Sequence, residues 1–134
     1  MKILILEDYS GRIDAFRDVL KCIKNLELHI WKEAHTMIAE VDEFLEGVDL
    51  ISLDHDLVTD GDIDPGDGLD FALYLKTKEP VCPVIIHSTN VNRSWSMLNE
   101  LKDGGWDVER YPPLGMGETW IYKYWINTVN EKLK

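Results

Sequence analysis

At 134 residues, 45% apolar and 29% charged, the chain has the size and composition of one ordinary globular domain, spanning 1–134 around a single core. A formal net charge of −11 argues against a nucleic-acid backbone as ligand, because phosphate chains want clustered Lys and Arg. No apolar run approaches the ~20 residues of a membrane span, no secretory leader precedes the first apolar run, and the expected setting is cytoplasmic.

The chain opens with "KILIL" at 2–6, an unbroken apolar run that suits a strand buried on both faces. Ile13, Phe16, Leu20 and Ile23 then keep one helical face, with Ser10 as the expected N-cap. "LELHIW" at 26–31 alternates and reads as an edge strand. Met37, Val41, Phe44, Leu45 and Val48 mark the second helix, and "DLISL" at 49–53 the third strand. The long connection 58–68 is acidic and turn-rich. Its Asp60, Asp62 and Asp64 imitate a calcium loop, but Pro65 and Phe71 stand where such a loop needs Gly and Glu, so a solvated turn is expected.

Leu69, Ala72, Leu73 and Leu75 begin a third helix after "GDG", and "PVII" at 83–86 is a fourth strand. Trp95, Leu98 and Leu101 mark a helix that "DGG" at 103–105 stops. "WDVERY" at 106–111 is a second edge strand. "YPPLGMGE" at 111–118 is placed as a lid loop, and the final helix turns Trp120, Tyr124, Trp125 and Val129 inward. Tyr122 falls off that stripe and is offered to a homodimer contact. Cys22 and Cys82 lack metal spacing and are read as reduced core thiols. Strict alternation of strand and helix predicts an α/β fold, a three-layer doubly wound (βα)5 sandwich with a parallel sheet in the order 2-1-3-4-5.

In such sheets ligands sit beyond the carboxyl ends of the strands. There the first strand leaves Glu7 and Asp8, the third leaves Asp54, His55 and Asp56, and the fourth leaves His87, Ser88, Thr89 and Asn90. A lone acid at a strand end needs only water. Three on neighbouring strands repel, and either raise one another's pKa or recruit a cation, for which hard oxygen donors favour Mg²⁺.

These residues resemble a known family. "KILILED", "DLISLD", "GLDFALYLK" and "PVIIHST" are similar to the response-regulator receiver domain over nearly the whole chain. The resemblance implies Glu7 and Asp8 as metal-side acids, Asp54 as the phospho-acceptor position and Ser88 as the phosphate-sensing hydroxyl. It also implies the Asp56 carbonyl as a further metal ligand. Where the family carries Lys-Pro, this chain has "RYPP", with Tyr111 in place of the ammonium and Arg110 and Arg93 as the candidate substitutes. "SLDHDL" and "HSTNVNRSWSM" are more similar to a branch described as cyclic-phosphate-processing receiver-like domains.

Three functional readings follow. In the first, Mg²⁺ on Glu7, Asp8, Asp54 and Asp56 polarises a cyclic phosphate or cyclic nucleotide, and His55 and His87 act as general base and acid for phosphodiester hydrolysis. Ser88, Asn90 and Arg93 then hold the non-bridging oxygens. In the second, Asp54 accepts a phosphoryl group from a phosphodonor protein or small phosphodonor; a degenerate receiver that only docks partners is a third option. Alternation puts Asp54 and His55 on opposite faces, and His87 and Ser88 likewise, so regular strands are expected to leave both histidines on one face away from the carboxylates.

Overall fold

The apolar runs become the middle of a five-stranded parallel sheet in the order β2-β1-β3-β4-β5. Its strands are β1 (Lys2–Leu6), β2 (Glu27–Trp31), β3 (Leu50–Leu53), β4 (Val84–Ile86) and β5 (Val108–Arg110). Five helices cross between or follow them: α1 (Ser10–Leu20), α2 (Ala34–Glu40), α3 (Gly68–Leu75), α4 (Val91–Asp103) and α5 (Ile126–Lys132). The computed structural model describes residues 1–58, 61–111 and 117–133. The proposed lid segment lies mostly outside them, as does Asp60. Among the described residues no helix is long and apolar enough to cross a membrane.

Two cores sandwich the sheet. On one face Leu4, Leu6, Ile51, Leu53, Val84 and Ile86 meet Met37 of α2, Phe71, Ala72 and Leu75 of α3, and Met97, Leu98 and Leu101 of α4. On the other, Ile3, Ile5, Leu50 and Ile85 meet Ala15, Phe16 and Leu20 of α1, with Trp120, Ile121, Trp125 and Val129 at the chain's end. β2 and β5 are the partly exposed edges, as their charge predicts.

The helix starts differ in detail from expectation. Asp67 and Asp70 form a reciprocal capping box on α3, and the Asn90 side chain caps α4 by accepting from the Arg93 N–H. Ser10 is not a cap: it is the first helical residue, and Tyr9 precedes it without a side-chain cap bond. The Tyr9 N–H is instead taken by Glu7. The long acidic connection docks onto α2 through Pro65, whose carbonyl accepts the Ala34 N–H at 2.7 Å.

Some inward assignments are corrected. Leu73 and Trp95 are exposed, and Phe71 and Met97 fill the core in their stead. Tyr124 is exposed and Ile121 is buried, because a π-helical turn at Ile121–Trp125 adds a residue to that turn and displaces the apolar stripe. Cys22 is exposed rather than a core thiol; Cys82 is partly covered, and burial pushes its thiol up to about 12. Tyr122 donates to Asp18 of α1 at 2.9 Å.

Candidate functional site

Register decides what meets at the carboxyl edge. β3 and β4 pair Leu53 with Ile86, and the Leu53 carbonyl accepts the His87 N–H, so His87 follows Asp54's side of the sheet. The expectation that both histidines share a face away from the carboxylates is therefore overturned. His87 lies with Glu7 on the α1/α5 side, and His55 on the α3/α4 side. One residue of register inverts the parity of a strand end.

Glu7, Asp8 and Asp54 each offer a carboxylate oxygen within 4.8 Å of the others. Among them lies a cation that sequence reading overlooked. Arg12, in the first turn of α1, donates from Nε to Glu7 Oε1 at 2.7 Å and from Nη2 to Glu7 Oε2 at 3.0 Å. The same Nη2 stands 3.5 Å from Asp54 Oδ2. The signal was available in "EDYSGR", which places a guanidinium one helical turn beyond an acidic strand end.

His87 sits behind this group, stacked on Trp120 and tilted against Phe16. Its Nε2 lies 3.1 Å from Glu7 Oε1 and its Nδ1 2.6 Å from Ser52 Oγ. Burial pushes the His87 pKa down, with its bond to Glu7 acting the other way, and the ring is neutral at neutral pH. A carboxylate only accepts, so Nε2 carries the proton and Nδ1 receives the Ser52 hydroxyl. Ser52 in turn accepts from Trp125 Nε1 at 3.0 Å. Ser52 is the lone polar residue of "LISL", and a buried hydroxyl mid-strand calls for such partners. Trp125→Phe should therefore cost about 1–2 kcal/mol in urea denaturation, leaving the Ser52 hydroxyl one donor short.

On the opposite side His55 Nδ1 lies 2.7 Å from Asp56 Oδ1, and Asn90 Nδ2 donates to that same oxygen at 3.1 Å. His55 Nε2 is buried without a hydrogen bond among the described residues and stands 3.5 Å from Asp67 Oδ2. Ser88 Oγ accepts the Asn90 N–H at 3.1 Å. Arg93 is exposed on the first turn of α4. Arg110 is taken up by α4, donating to Ser94 Oγ at 2.9 Å and covering the Trp95 ring.

The electrostatics split the carboxylates. Burial and the neighbouring Glu7 push the Asp54 carboxyl up to about 8. Burial also works against a charged Glu7, but hydrogen bonds from His87 and Arg12 outweigh it and hold that carboxyl at about 2. Asp56 is lowered: bonds from His55 and Asn90 prevail over its partial burial. A cavity of about 520 Å³ opens here between Asp8, Tyr9, Ser10, Arg12, Asp56 and Val58.

The shape is shared with known receivers. The response regulator domain of Thermotoga maritima CheB superposes with a TM-score of 0.68 at 12% identity, covering 99% of this chain and 96% of that one. The isolated REC domain of RcsB from Salmonella enterica serovar Typhimurium, in the presence of phosphomimetic BeF3−, gives 0.64 at 18% identity, covering 100% and 91%. The Mn(2+)-bound form of response regulator Rcp1 gives 0.65 at 19% identity, covering 95% of each chain. No curated protein matches the sequence. Residues 3–103 match the Cyclic-phosphate processing Receiver domain family, and the chain, with its receiver sheet and acidic carboxyl edge, belongs to that family.

Proposed function

We propose that the chain hydrolyses cyclic phosphate esters at this edge with the help of a divalent cation. The observation that carries the reading is the cavity between Asp8 and Asp56: a carboxylate of the acidic cluster on one wall, a hydrogen-bonded carboxylate on the other. The family's description supports the substrate class. The manganese bound in Rcp1 supports a divalent ion in a receiver fold.

The donors fit Mg²⁺. Asp8 and Asp54 bring hard oxygens together, and a buried carboxyl raised to about 8 is one whose proton a cation would displace. Asp8, Asp54 and the Asp56 carbonyl would hold the ion. It would supply Lewis-acid polarisation of a phosphoryl oxygen. Asp56, ionised and fixed by His55 and Asn90, accepts a proton from the attacking water. The water oxygen bonds to phosphorus, the ring P–O bond breaks, and the proton taken up by Asp56 passes through solvent to the departing ester oxygen, which returns Asp56 to its ionised form. One water is consumed and a phosphomonoester leaves.

In this scheme His55 positions Asp56, and His87, with both ring nitrogens engaged, positions Glu7. Asn90 orients Asp56 rather than the phosphate, and the buried Ser88 receives the Asn90 N–H; neither Ser88 nor Arg93 lines the cavity.

Turnover of a panel of cyclic mononucleotides and small cyclic phosphates with Mg²⁺ tests the reading. Asp8→Asn and Asp56→Asn should each lower kcat by roughly 100-fold or more, and His55→Ala by roughly tenfold with a displaced pH profile. Absence of turnover across the panel would sink it. Phospho-acceptance is the second reading, favoured by Asp54 at the end of β3 with Ser88 at the end of the adjacent β4. Acetyl phosphate or beryllofluoride should then modify Asp54.

A further inference from the structure

The geometry points to Arg12 as the residue that grips a phosphoryl oxygen in this pocket, with Glu7 as its anchor and not a ligand of the cation. The inference rests on the phosphate-and-metal reading above and deepens it.

Glu7 is completely buried and its acceptor capacity is full. Oε1 receives Arg12 Nε at 2.7 Å and His87 Nε2 at 3.1 Å; Oε2 receives Arg12 Nη2 at 3.0 Å and the Tyr9 N–H at 3.1 Å. A carboxylate has about four lone-pair sites, so none remains for a metal ion. Asp8 and Asp54 are the members of the cluster with capacity to spare. Asp54 Oδ1 takes the His55 N–H, and Oδ2 meets Arg12 only at the long distance of 3.5 Å.

What Glu7 does hold is the guanidinium. Two parallel N–H···O bonds fix its plane, and the Tyr9 ring lies 4.9 Å beneath it. Among the described residues Nη1 makes no hydrogen bond, while the side chain is 26% exposed and lines the cavity shared with Asp8 and Asp56. A guanidinium with an idle edge, immobilised beside carboxylates that suit a cation, is built for an oxyanion that bridges the two charges. A phosphoryl group provides one oxygen for the ion and another for Nη1, and the guanidinium's orientation is fixed before the ligand arrives.

The two roles make opposite demands on Arg12. It competes with a cation for Asp54 Oδ2, yet it attracts the phosphate. Titration of the full chain by calorimetry, first with MgCl₂ and then with inorganic phosphate at saturating Mg²⁺, separates them. Arg12→Ala should leave Mg²⁺ affinity unchanged or tighter and weaken phosphate by roughly tenfold or more. Arg12→Lys, which keeps charge without the fork, should recover only part of that loss. Glu7→Gln should retain Mg²⁺ binding, whereas Asp8→Asn should abolish it. Loss of Mg²⁺ binding in folded Glu7→Gln, or phosphate binding indifferent to both Arg12 variants, would overturn the inference. Wild type that fails to take Mg²⁺ at all would overturn the metal reading instead, and phosphate sensitivity to Arg12→Ala without the ion would still uphold Arg12 as the anion's ligand.

Discussion

Without a divalent cation, the protein should lose stability as the pH rises from about 4 toward 8, and Asp54→Asn should abolish most of that loss. The sign follows from the burial of Asp54. Its carboxyl, ordinarily at 3.8, stands at about 8 in the fold because burial and Glu7 disfavour its charge. Between those values the folded state holds a proton that the unfolded chain has released, so raising the pH favours unfolding. Glu7 acts in a different window. Held at about 2 against an ordinary 4.5, it contributes stability that is complete above 4.5 and lost as the pH falls toward 2. With each unit of pKa worth about 1.4 kcal/mol at most, the loss on the alkaline side is bounded by about 6 kcal/mol at pH 8. Urea denaturation at pH 5 and pH 8 measures it. The asparagine variant should be the more stable protein at pH 8, and Mg²⁺ should restore the wild type without helping the variant. Parallel pH profiles for the two proteins would refute the account.

Gly68→Ala should destabilise the fold by about 3 kcal/mol or more. A methyl group at Gly68 would stand 2.1 Å from the Asp54 carbonyl oxygen and 2.7 Å from the His55 Cα, so backbone has to move. The Gly68 N–H is itself bonded to the His55 carbonyl at 2.9 Å, which ties the start of α3 to the end of β3. Gly47→Ala is the comparison. Gly47 has φ of 76° but nothing near its would-be methyl, so only the left-handed penalty of about 1–2 kcal/mol applies. Equal midpoints in urea for the two variants would rule out the close approach. A displaced Asp54–His55 segment should also weaken Mg²⁺ binding in Gly68→Ala and spare it in Gly47→Ala.

The sheet was legible because its evidence is redundant. Three apolar runs, two charged ones and strict alternation with helices all require β1, β3 and β4 in the centre and their acidic ends together. The placement of Asp54 beside Glu7 and Asp8 follows from that order. The side chosen by each histidine does not, because it depends on a pairing of Leu53 with Ile86 that one residue of slippage would reverse. Arg12 escaped notice for a related reason: it belongs to a helix, and reading strand ends alone passes over the first turn that follows them. Ser52 and Trp125 look like a core hydroxyl and a core aromatic until the π turn brings indole and hydroxyl together.

That wide turn works as a phase shifter. The Ile126 N–H reaches back five residues to the Ile121 carbonyl, so Trp120 and Trp125 come to the same side despite a spacing that a regular helix would fan apart by about 140°. Removing one residue between them would restore the ordinary repeat and swing the following residues through roughly 100°. The indole would leave Ser52, and His87 would lose the far end of its support. The chain thus holds the back wall of its acidic pocket in tune by a single extra residue, inserted in a different element from every residue that lines the pocket.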